Sequence, residues 1–285
     1  MKDFILNNGV KAPTLAYGTW LIKNEDAAHC VKMAIEAGYR HIDTAQAYGN
    51  EEGVGQGIRD SGINREDIFI TSKVKAELKS YKKAKASIDE SLKKLGVDYI
   101  DLMLIHCPQP WILFRSPFRY FKQNIQVWKA LEEAYKEGKL KAIGVSNFLI
   151  DDLQNIMNNC EIKPMANQIL LHIGETPIDV IKFCQENDIV VEAYSPIAHG
   201  KALNNKTIAR MAEKYKVSIP QLCIKYTLQL DTISIPKASS KEHIEDNIKL
   251  DFEISEEDMI ELIKLDKTDY GDAAFWPVFN KKKQG

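Results

Sequence analysis

Residues 68–106 read IFITSKVKAELKSYKKAKASIDESLKKLGVDYIDLMLIH, and this stretch decides the fold class. Two short and largely apolar runs, residues 68–73 and 99–106, flank a segment in which apolar residues recur at helical spacing up to Leu95. Gly96 follows, and glycine commonly ends a helix. Short runs that are apolar almost throughout are typical of parallel strands with both faces covered. The stretch therefore predicts a strand, a helix and a second strand parallel to the first.

The same alternation extends over the rest of the chain. Eight strand candidates, each with a helix candidate behind it, are residues 15–17, 41–45, 68–73, 99–106, 142–147, 165–169, 190–194 and 232–237. Ahead of them, Asn8-Gly9 lies between two short apolar runs and predicts a hairpin with a two-residue turn. Eight such units without a linker predict one (β/α)8 TIM barrel domain over residues 1–285, with an N-terminal β-hairpin. A doubly wound open sheet stays open as the alternative, because periodicity cannot show closure.

Composition narrows the function classes. The 285 residues are 45% hydrophobic and 27% charged, with a formal net charge of -2, so no basic surface for nucleic acid is expected. No apolar run approaches the roughly 20 residues of a membrane span, and no signal-peptide pattern opens the chain. Five scattered cysteines without a CxxC pair fit a reducing cytoplasm. His41 and His172 form no metal-spaced set, so we expect no metal.

Four polar side chains follow adjacent strands of the predicted barrel. Asp43 ends the second strand and Tyr48 lies just beyond it, while Lys73 and His106 end the third and fourth strands. The functional face of such a barrel lies at the carboxyl ends of its strands, so we expect these four side chains to meet. Each of them taken singly is more often structural. The set is harder to explain in that way, because burying an Asp and a Lys without a purpose is costly.

Together these residues suit the reduction of a carbonyl group. A tyrosine has an ordinary pKa near 10, and a neighbouring ammonium such as Lys73 is expected to lower the pKa of Tyr48. Asp43 would keep Lys73 charged and oriented, and His106 would hydrogen-bond the carbonyl oxygen. The arrangement predicts a site with tyrosine as general acid. The hydride must then come from a cofactor.

The sequence also resembles a known family, the aldo-keto reductases, along nearly its whole length. The matching segments are Tyr17-Gly18-Thr19-Trp20, Gly38 to Ala45, Tyr48-Gly49-Asn50-Glu51, Thr71-Ser72-Lys73, Leu104-Ile105-His106, Ile143 to Phe148, Asn167-Gln168, Ala193-Tyr194-Ser195-Pro196 and Ile235-Pro236-Lys237. The resemblance implies a (β/α)8 barrel that reduces carbonyls with NADPH and usually without metal. It implies the same four catalytic residues, with Tyr48 as the proton donor.

The resemblance further implies cofactor contacts. Ser146, Asn147 and Gln168 are similar to the positions that bind the nicotinamide carboxamide, and Tyr194 is similar to the aromatic that stacks on the ring. Ser195 would lie near the pyrophosphate, and Lys237 would bind the adenosine 2′-phosphate. The remaining implied cofactor-binding positions are Gly18, Thr19, Ser239, His243 and Asn247.

Three departures from the family pattern bear on specificity. Ala238 stands where Ser or Thr is common, and His243 stands where Arg is common. Histidine binds phosphate less well than arginine, so the preference for NADPH is expected to be reduced and NADH is the alternative cofactor. Cys107 stands after the predicted catalytic His106, where Trp is common in the family. The family pattern therefore does not define the substrate pocket of this chain.

The long loop after the fourth strand is expected to serve substrate binding. Trp20 and Trp111 would form an aromatic pocket, and Arg115 and Arg119 could attract an anionic substrate. The sequence does not distinguish among small aldehydes, 2-oxoaldehydes and keto-sugar acids as substrates. We expect the protein to be a monomer. Two rival functions are a Schiff-base aldolase using Lys73 and a non-catalytic nucleotide-sensing barrel.

One motif is misleading. The glycine-rich run from Gly53 to Gly57 invites comparison with a dinucleotide fingerprint, but it lacks the spacing and follows no strand. Helix packing or a loose helix start is the better interpretation of these glycines.

Overall fold

A computed structural model describes residues 3–265 and 268–280 of the chain. The strands are β1 (Phe4–Ile5), β2 (Lys11–Ala12), β3 (Tyr17–Gly18), β4 (His41–Asp43), β5 (Phe69–Val74), β6 (Ile100–Ile105), β7 (Leu140–Ser146), β8 (Ala166–Leu170), β9 (Val190–Tyr194) and β10 (Ile233–Ile235). The helices are α1 (Asn24–Ala37), α2 (Glu51–Asp60), α3 (Tyr81–Leu95), α4 (Phe121–Lys136), α5 (Ile150–Met157), α6 (Ile178–Glu186), α7 (Lys206–Tyr215), α8 (Ile219–Gln229), α9 (Lys241–Asp246) and α10 (Glu256–Ile263).

Strands β3 to β10 form a parallel sheet in sequential order, each paired with its neighbours in the chain. Backbone bonds then join the first strand region to the last. Ala16 N donates to Ser234 O over 2.9 Å, and Gly18 N donates to Pro236 O over 2.9 Å. The predicted barrel is confirmed, and these bonds across its seam exclude the open doubly wound sheet.

The barrel strands are buried on both faces, as their apolar sequences predict. All six residues of β5 are buried, and so are five of the six in β6. Apolar residues on the helices cover the outside of the sheet, for example Ala84 and Ile88 of α3. Polar residues on the inner face are therefore cut off from water except at the barrel ends.

The N-terminal hairpin is confirmed, although its turn is longer than the sequence predicts. β1 and β2 pair antiparallel, with Phe4 opposite Ala12. Leu6 N donates to Val10 O over 2.8 Å, so three residues rather than two form the loop. Gly9 takes the left-handed conformation at φ 87°, which closes a three-residue loop without steric cost.

The glycines of α2 allow three helices to approach closely. A Cβ atom at Gly53 would lie 2.2 Å from Asn24 O of α1, and a Cβ atom at Gly55 would lie 2.0 Å from Leu95 O of α3. The side chain of Asn24 accepts a hydrogen bond from Gly53 N over 2.9 Å, so it joins α1 to α2. The interpretation of these glycines as packing residues is confirmed.

Within residues 3–265 and 268–280, no helix combines the length and apolarity of a membrane span. The same described part of the chain contains no group of three or more His, Cys, Asp or Glu residues placed to hold a metal ion.

Candidate active site

Lys73 lies at the centre of a buried cluster at the carboxyl end of the barrel. Its Nζ donates to both carboxylate oxygens of Asp43 over 2.7 Å and to the carbonyl of Thr44 over 2.8 Å. The Tyr48 hydroxyl lies 3.4 Å from the same nitrogen. Lys73 is fully buried and Asp43 is 3% exposed. The structure thus brings three of the four predicted catalytic residues into direct contact.

The local fold of the β4–α2 loop positions Tyr48. This residue ends a short 3₁₀ helix, Gln46–Tyr48, that follows β4. Asn50 anchors the loop, because its amide donates to the carbonyls of Thr19 and Ile22 over 3.0 and 2.9 Å. The Thr44 hydroxyl donates to Asn50 Oδ1 over 2.8 Å. Both ends of the loop that carries Tyr48 are therefore fixed by buried hydrogen bonds.

The pKa of Tyr48 moves in the direction opposite to the sequence expectation. Burial, with the Asp43 carboxylate as a second cause, raises the pKa of the phenol well above 10. The expected lowering by Lys73 is therefore wrong, because burial and, secondly, the Asp43 carboxylate disfavour the phenolate more than the ammonium favours it. The phenol keeps its proton at neutral pH, which is the form that a proton donor needs. The ammonium can still stabilise the phenolate that proton transfer leaves behind.

His106 completes the group from the end of β6. Its ring centroid lies 5.6 Å from that of Tyr48 and 5.2 Å from that of Trp111. Burial and the charges of Lys73 and Lys79 lower the pKa of His106 well below 6.5. The imidazole is therefore neutral at physiological pH. Its buried Nδ1 has no hydrogen-bond partner among the described residues.

The residues expected to bind the carboxamide lie beside this group. Ser146 ends β7 and Asn147 follows it at φ 62°, a left-handed conformation that turns its side chain back across the barrel end. The Asn147 amide donates to His106 O and to Ser146 Oγ, both over 3.0 Å. The Tyr194 hydroxyl donates to Asn147 Oδ1 over 2.7 Å. One hydrogen-bonded network thus connects β6, β7 and β9 at the candidate site.

Gln168 of β8 reaches into the same interior. Its Nε2 donates to Asp43 Oδ2 over 2.8 Å and to Glu192 Oε2 over 2.9 Å. Both hydrogens of the amide nitrogen are thereby used. Its Oε1 makes no hydrogen bond with the described residues and stays available as an acceptor.

Sequence reasoning missed the interior residue Glu192 and its contact with His41. Glu192 is fully buried in β9, and its Oε1 lies 3.8 Å from Nε2 of His41. His41 Nε2 is hydrogen-bonded to the Thr71 hydroxyl over 2.8 Å. The available signal was an acidic residue inside the strand Val-Val-Glu-Ala-Tyr, where every neighbour is apolar or aromatic.

The residues expected at the adenosine end lie after β10 and in or beside α9. Lys237 follows β10, is exposed, and makes no ion pair within the described residues. Ser239 and His243 are exposed, with His243 in the short helix α9, whereas Asn247 at its end is buried. Ser195 follows β9 at φ 54°, where the backbone turns away from the strand.

The two predicted cofactor positions on the first barrel strand have visible structural roles. Gly18 lies at the seam, where an added Cβ would lie 3.2 Å from Ile235. Thr19 is buried, and its hydroxyl donates to the carbonyl of Asp43 over 2.9 Å. Thr19 thus holds the strand end that carries Asp43.

The two tryptophans predicted to bind substrate each pack against other aromatic rings. Trp20 packs against Trp276 at 5.3 Å between ring centroids, and Trp111 packs against Phe114 at 5.7 Å. Large apolar side chains beside these tryptophans are exposed: Leu21, Ile112 and Phe275. Trp111 also lies 5.2 Å from His106 between ring centroids, so it is the predicted aromatic residue that contacts the candidate site.

The chain is similar to known oxidoreductases along nearly its whole length. Residues 14–267 match the Aldo/keto reductase family. Glyoxal reductase of Bacillus subtilis is 40% identical over 270 residues, which cover 94% of each chain. An aldo/keto reductase structure from Brucella melitensis is 39% identical with a TM-score of 0.86, over 93% of this chain and 99% of that one.

A second similar solved structure is a complex with a cofactor. The aldo-keto reductase of Bombyx mori in complex with NADP is 32% identical with a TM-score of 0.85, over 97% of this chain and 98% of that one. Family match, relatives and solved structures agree with the fold. The chain therefore belongs to the aldo/keto reductase family of oxidoreductases.

Proposed function

We propose that this protein reduces aldehydes and ketones to alcohols with NADPH. The observation that carries the proposal is the contact of Lys73 with both Asp43 and Tyr48, beside a neutral His106. Glyoxal reductase is among the relatives that are similar over nearly the full chain, which supports carbonyl reduction. A monomer in the cytoplasm remains a prediction.

Each catalytic residue has one task in this account. The Tyr48 hydroxyl gives its proton to the carbonyl oxygen as negative charge develops there. Lys73 stabilises the resulting phenolate, and Asp43 orients the ammonium through two hydrogen bonds. His106 donates one hydrogen bond to the carbonyl oxygen, which a neutral imidazole can do. Trp111 packs against the His106 ring and limits its movement.

The described residues fit a nicotinamide cofactor, which would supply the hydride. Gln168 offers a free acceptor oxygen in an otherwise saturated buried group, as an amide ligand requires. Ser146 and Asn147 lie within 3.0 Å of each other in the same network. At the other end, the exposed ammonium of Lys237 suits a phosphate. We assign these four residues to the binding of NADPH.

Lys73 does not suit the rival role of Schiff-base nucleophile. A nucleophilic amine needs a free lone pair, whereas the Lys73 nitrogen donates to Asp43 and Thr44 inside the barrel. A non-catalytic sensor is the remaining rival, and it predicts nucleotide binding without turnover.

The first test is a plate assay of NADPH and NADH consumption against small aldehydes, 2-oxoaldehydes and keto-sugar acids. We expect consumption of NADPH that depends on the added carbonyl, with 2-oxoaldehydes among the substrates. Binding of NADPH without turnover on any carbonyl would favour the sensor. An adduct on Lys73 trapped by borohydride would favour the aldolase.

Arg115 favours keto-sugar acids as a second substrate class. Its guanidinium is half-buried in the loop after β6 and makes no ion pair within the described residues, whereas Arg119 is bonded to Asp152 over 2.8 Å. Its charge acts on Tyr194 and Cys107, both at the barrel end. We expect Arg115→Gln to raise the KM for keto acids about tenfold or more and to leave uncharged aldehydes unaffected. Equal effects on both classes would remove this assignment.

A further inference from the structure

The interior of the barrel holds a second carboxyl group that the proposed chemistry does not use. Glu192 is fully buried, and the Gln168 amide joins it to Asp43. A chain of contacts therefore runs from Glu192 through Gln168 and Asp43 to Lys73, and on to Tyr48 at 3.4 Å. The three hydrogen bonds that connect Glu192 to Lys73 through Gln168 and Asp43 are each no longer than 2.9 Å.

Glu192 fixes which way the Gln168 amide faces. Both carboxylates accept from Nε2, so a reversed amide would place Oε1 against two acceptor oxygens, which is repulsive. The observed orientation leaves Oε1 as the atom available to a ligand. An amide ligand at this point must therefore donate to Gln168 rather than accept from it.

The charge of this interior is unbalanced when both carboxyl groups are ionised. The ionisable groups that face Glu192 are His41 and Asp43 from β4 and Lys73 from β5. Burial lowers the pKa of His41 to about 4, so His41 is neutral above that pH and Lys73 is the one cation among the three. Burial and Asp43 raise the pKa of Glu192 to about 7. Glu192 Oε1 has no hydrogen-bond partner among the described residues, which disfavours its ionised form.

We propose that Glu192 is a positioning residue of the nicotinamide site, which orients Gln168 and, when ionised, adds a negative charge that favours the oxidised over the reduced cofactor. The oxidised nicotinamide ring carries a positive charge and the reduced ring carries none, so a nearby carboxylate discriminates between them. This inference rests on the proposed binding of NADPH. It predicts that pH sets the relative affinity of the two cofactor forms.

The test is the ratio of the dissociation constants of NADP+ and NADPH, measured by protein fluorescence at pH 6.0 and 8.5. The 2′-phosphate and its ligands titrate equally with both nucleotides, so their effects cancel in the ratio. In the wild type we expect NADP+ to gain affinity relative to NADPH by about fivefold or more as pH rises. In Glu192→Gln we expect a ratio that does not change with pH.

Glu51→Gln is the matched control. Glu51 is another buried carboxyl group with a raised pKa, but it accepts from Ser72 on the outer side of the sheet and has no bond to Gln168 or Asp43. This variant should keep the pH dependence of the wild type. The same dependence in Glu192→Gln would overturn the inference.

If Glu192→Gln fails to fold, the pH dependence of the ratio in the wild type still tests the inference. A ratio that stays constant between pH 6.0 and 8.5 in the wild type contradicts the role of Glu192 while NADPH binding, and with it the proposed function, still stands. Failure to bind either nucleotide would instead overturn the proposed function itself.

Discussion

The ammonium of Lys73 lies 2.7 Å from each carboxylate oxygen of Asp43, and both side chains are shielded from water inside the barrel. Removing one partner of such a buried pair leaves an uncompensated charge. We therefore expect Asp43→Asn to lower the free energy of unfolding by about 3–5 kcal/mol, measured by urea denaturation. It should also abolish most reductase activity, because Lys73 loses its orientation.

An exposed pair provides the control for Asp43→Asn. Lys139 and Asp89 are 2.7 Å apart, with side chains 33% and 52% exposed. Asp89→Asn should cost less than about 1 kcal/mol, because solvent screens the pair. Similar losses of stability in the two variants would contradict the buried charge pair as a source of stability.

The adenosine end yields a prediction about cofactor choice. Lys237 is exposed and carries no ion pair in the described part of the chain, so its charge is free for a phosphate. Loss of one charge-assisted hydrogen bond is worth about 1.5–3 kcal/mol. Lys237→Ala should therefore raise the Kd for NADPH roughly 10- to 100-fold and change the Kd for NADH less than twofold. Fluorescence titration measures both, and equal changes would refute the phosphate contact.

A substitution at Gly55 distinguishes a packing role of the glycine run from a nucleotide-binding role. A Cβ atom there would lie 2.0 Å from the backbone oxygen of Leu95, so Gly55→Ala must push α2 away from α3. We expect a loss of roughly 2–4 kcal/mol of stability in thermal unfolding, with an unchanged Kd for NADPH in the folded protein. Gln56→Ala, one residue further on the exposed face, should stay within about 0.5 kcal/mol. Unchanged stability with weakened NADPH binding would reverse the interpretation.

Glu192 predicts how stability depends on pH. Its pKa is raised from 4.5 to about 7, so between these values the folded protein holds a proton that the unfolded chain has lost. Stability from this group is therefore greatest at low pH and falls as pH rises towards 7. Relative to Glu192→Gln, the wild type should lose roughly 3 kcal/mol between pH 4.5 and 7.5. His41 has the opposite slope but is present in both proteins, so it cancels. A difference that is constant with pH would contradict the raised pKa.

The sequence predicted the barrel and the clustering of Asp43, Tyr48 and Lys73 for a common physical reason. The strands are short, buried on both faces and parallel, so their apolar runs are easy to recognise. Once the strands are placed, Asp43, Lys73 and His106 must converge, because parallel strands present their carboxyl ends at one face. No knowledge of side-chain contacts is needed for this step.

The missed features depend on contacts between distant parts of the chain. Gln168 and Asp43 are 125 residues apart, and their hydrogen bond exists only because the barrel brings opposite strands together. The predicted direction of the Tyr48 pKa shift was wrong, because a count of charged neighbours omits burial. Burial is the largest cause of the raised pKa. The hydrogen bond from Gly53 N to the Asn24 side chain, which joins two helices, is likewise visible only in the folded chain.

The proton donor is tested most directly by Tyr48→Phe, which removes one hydroxyl from a ring already packed beside His106. The measurement is kcat for the reduction of a 2-oxoaldehyde, together with the Kd for NADPH from fluorescence titration. We expect kcat to fall about 100-fold or more and the Kd to stay within about twofold of the wild type. A wild-type kcat in Tyr48→Phe would contradict the account, because the carbonyl oxygen would then be receiving its proton from another group.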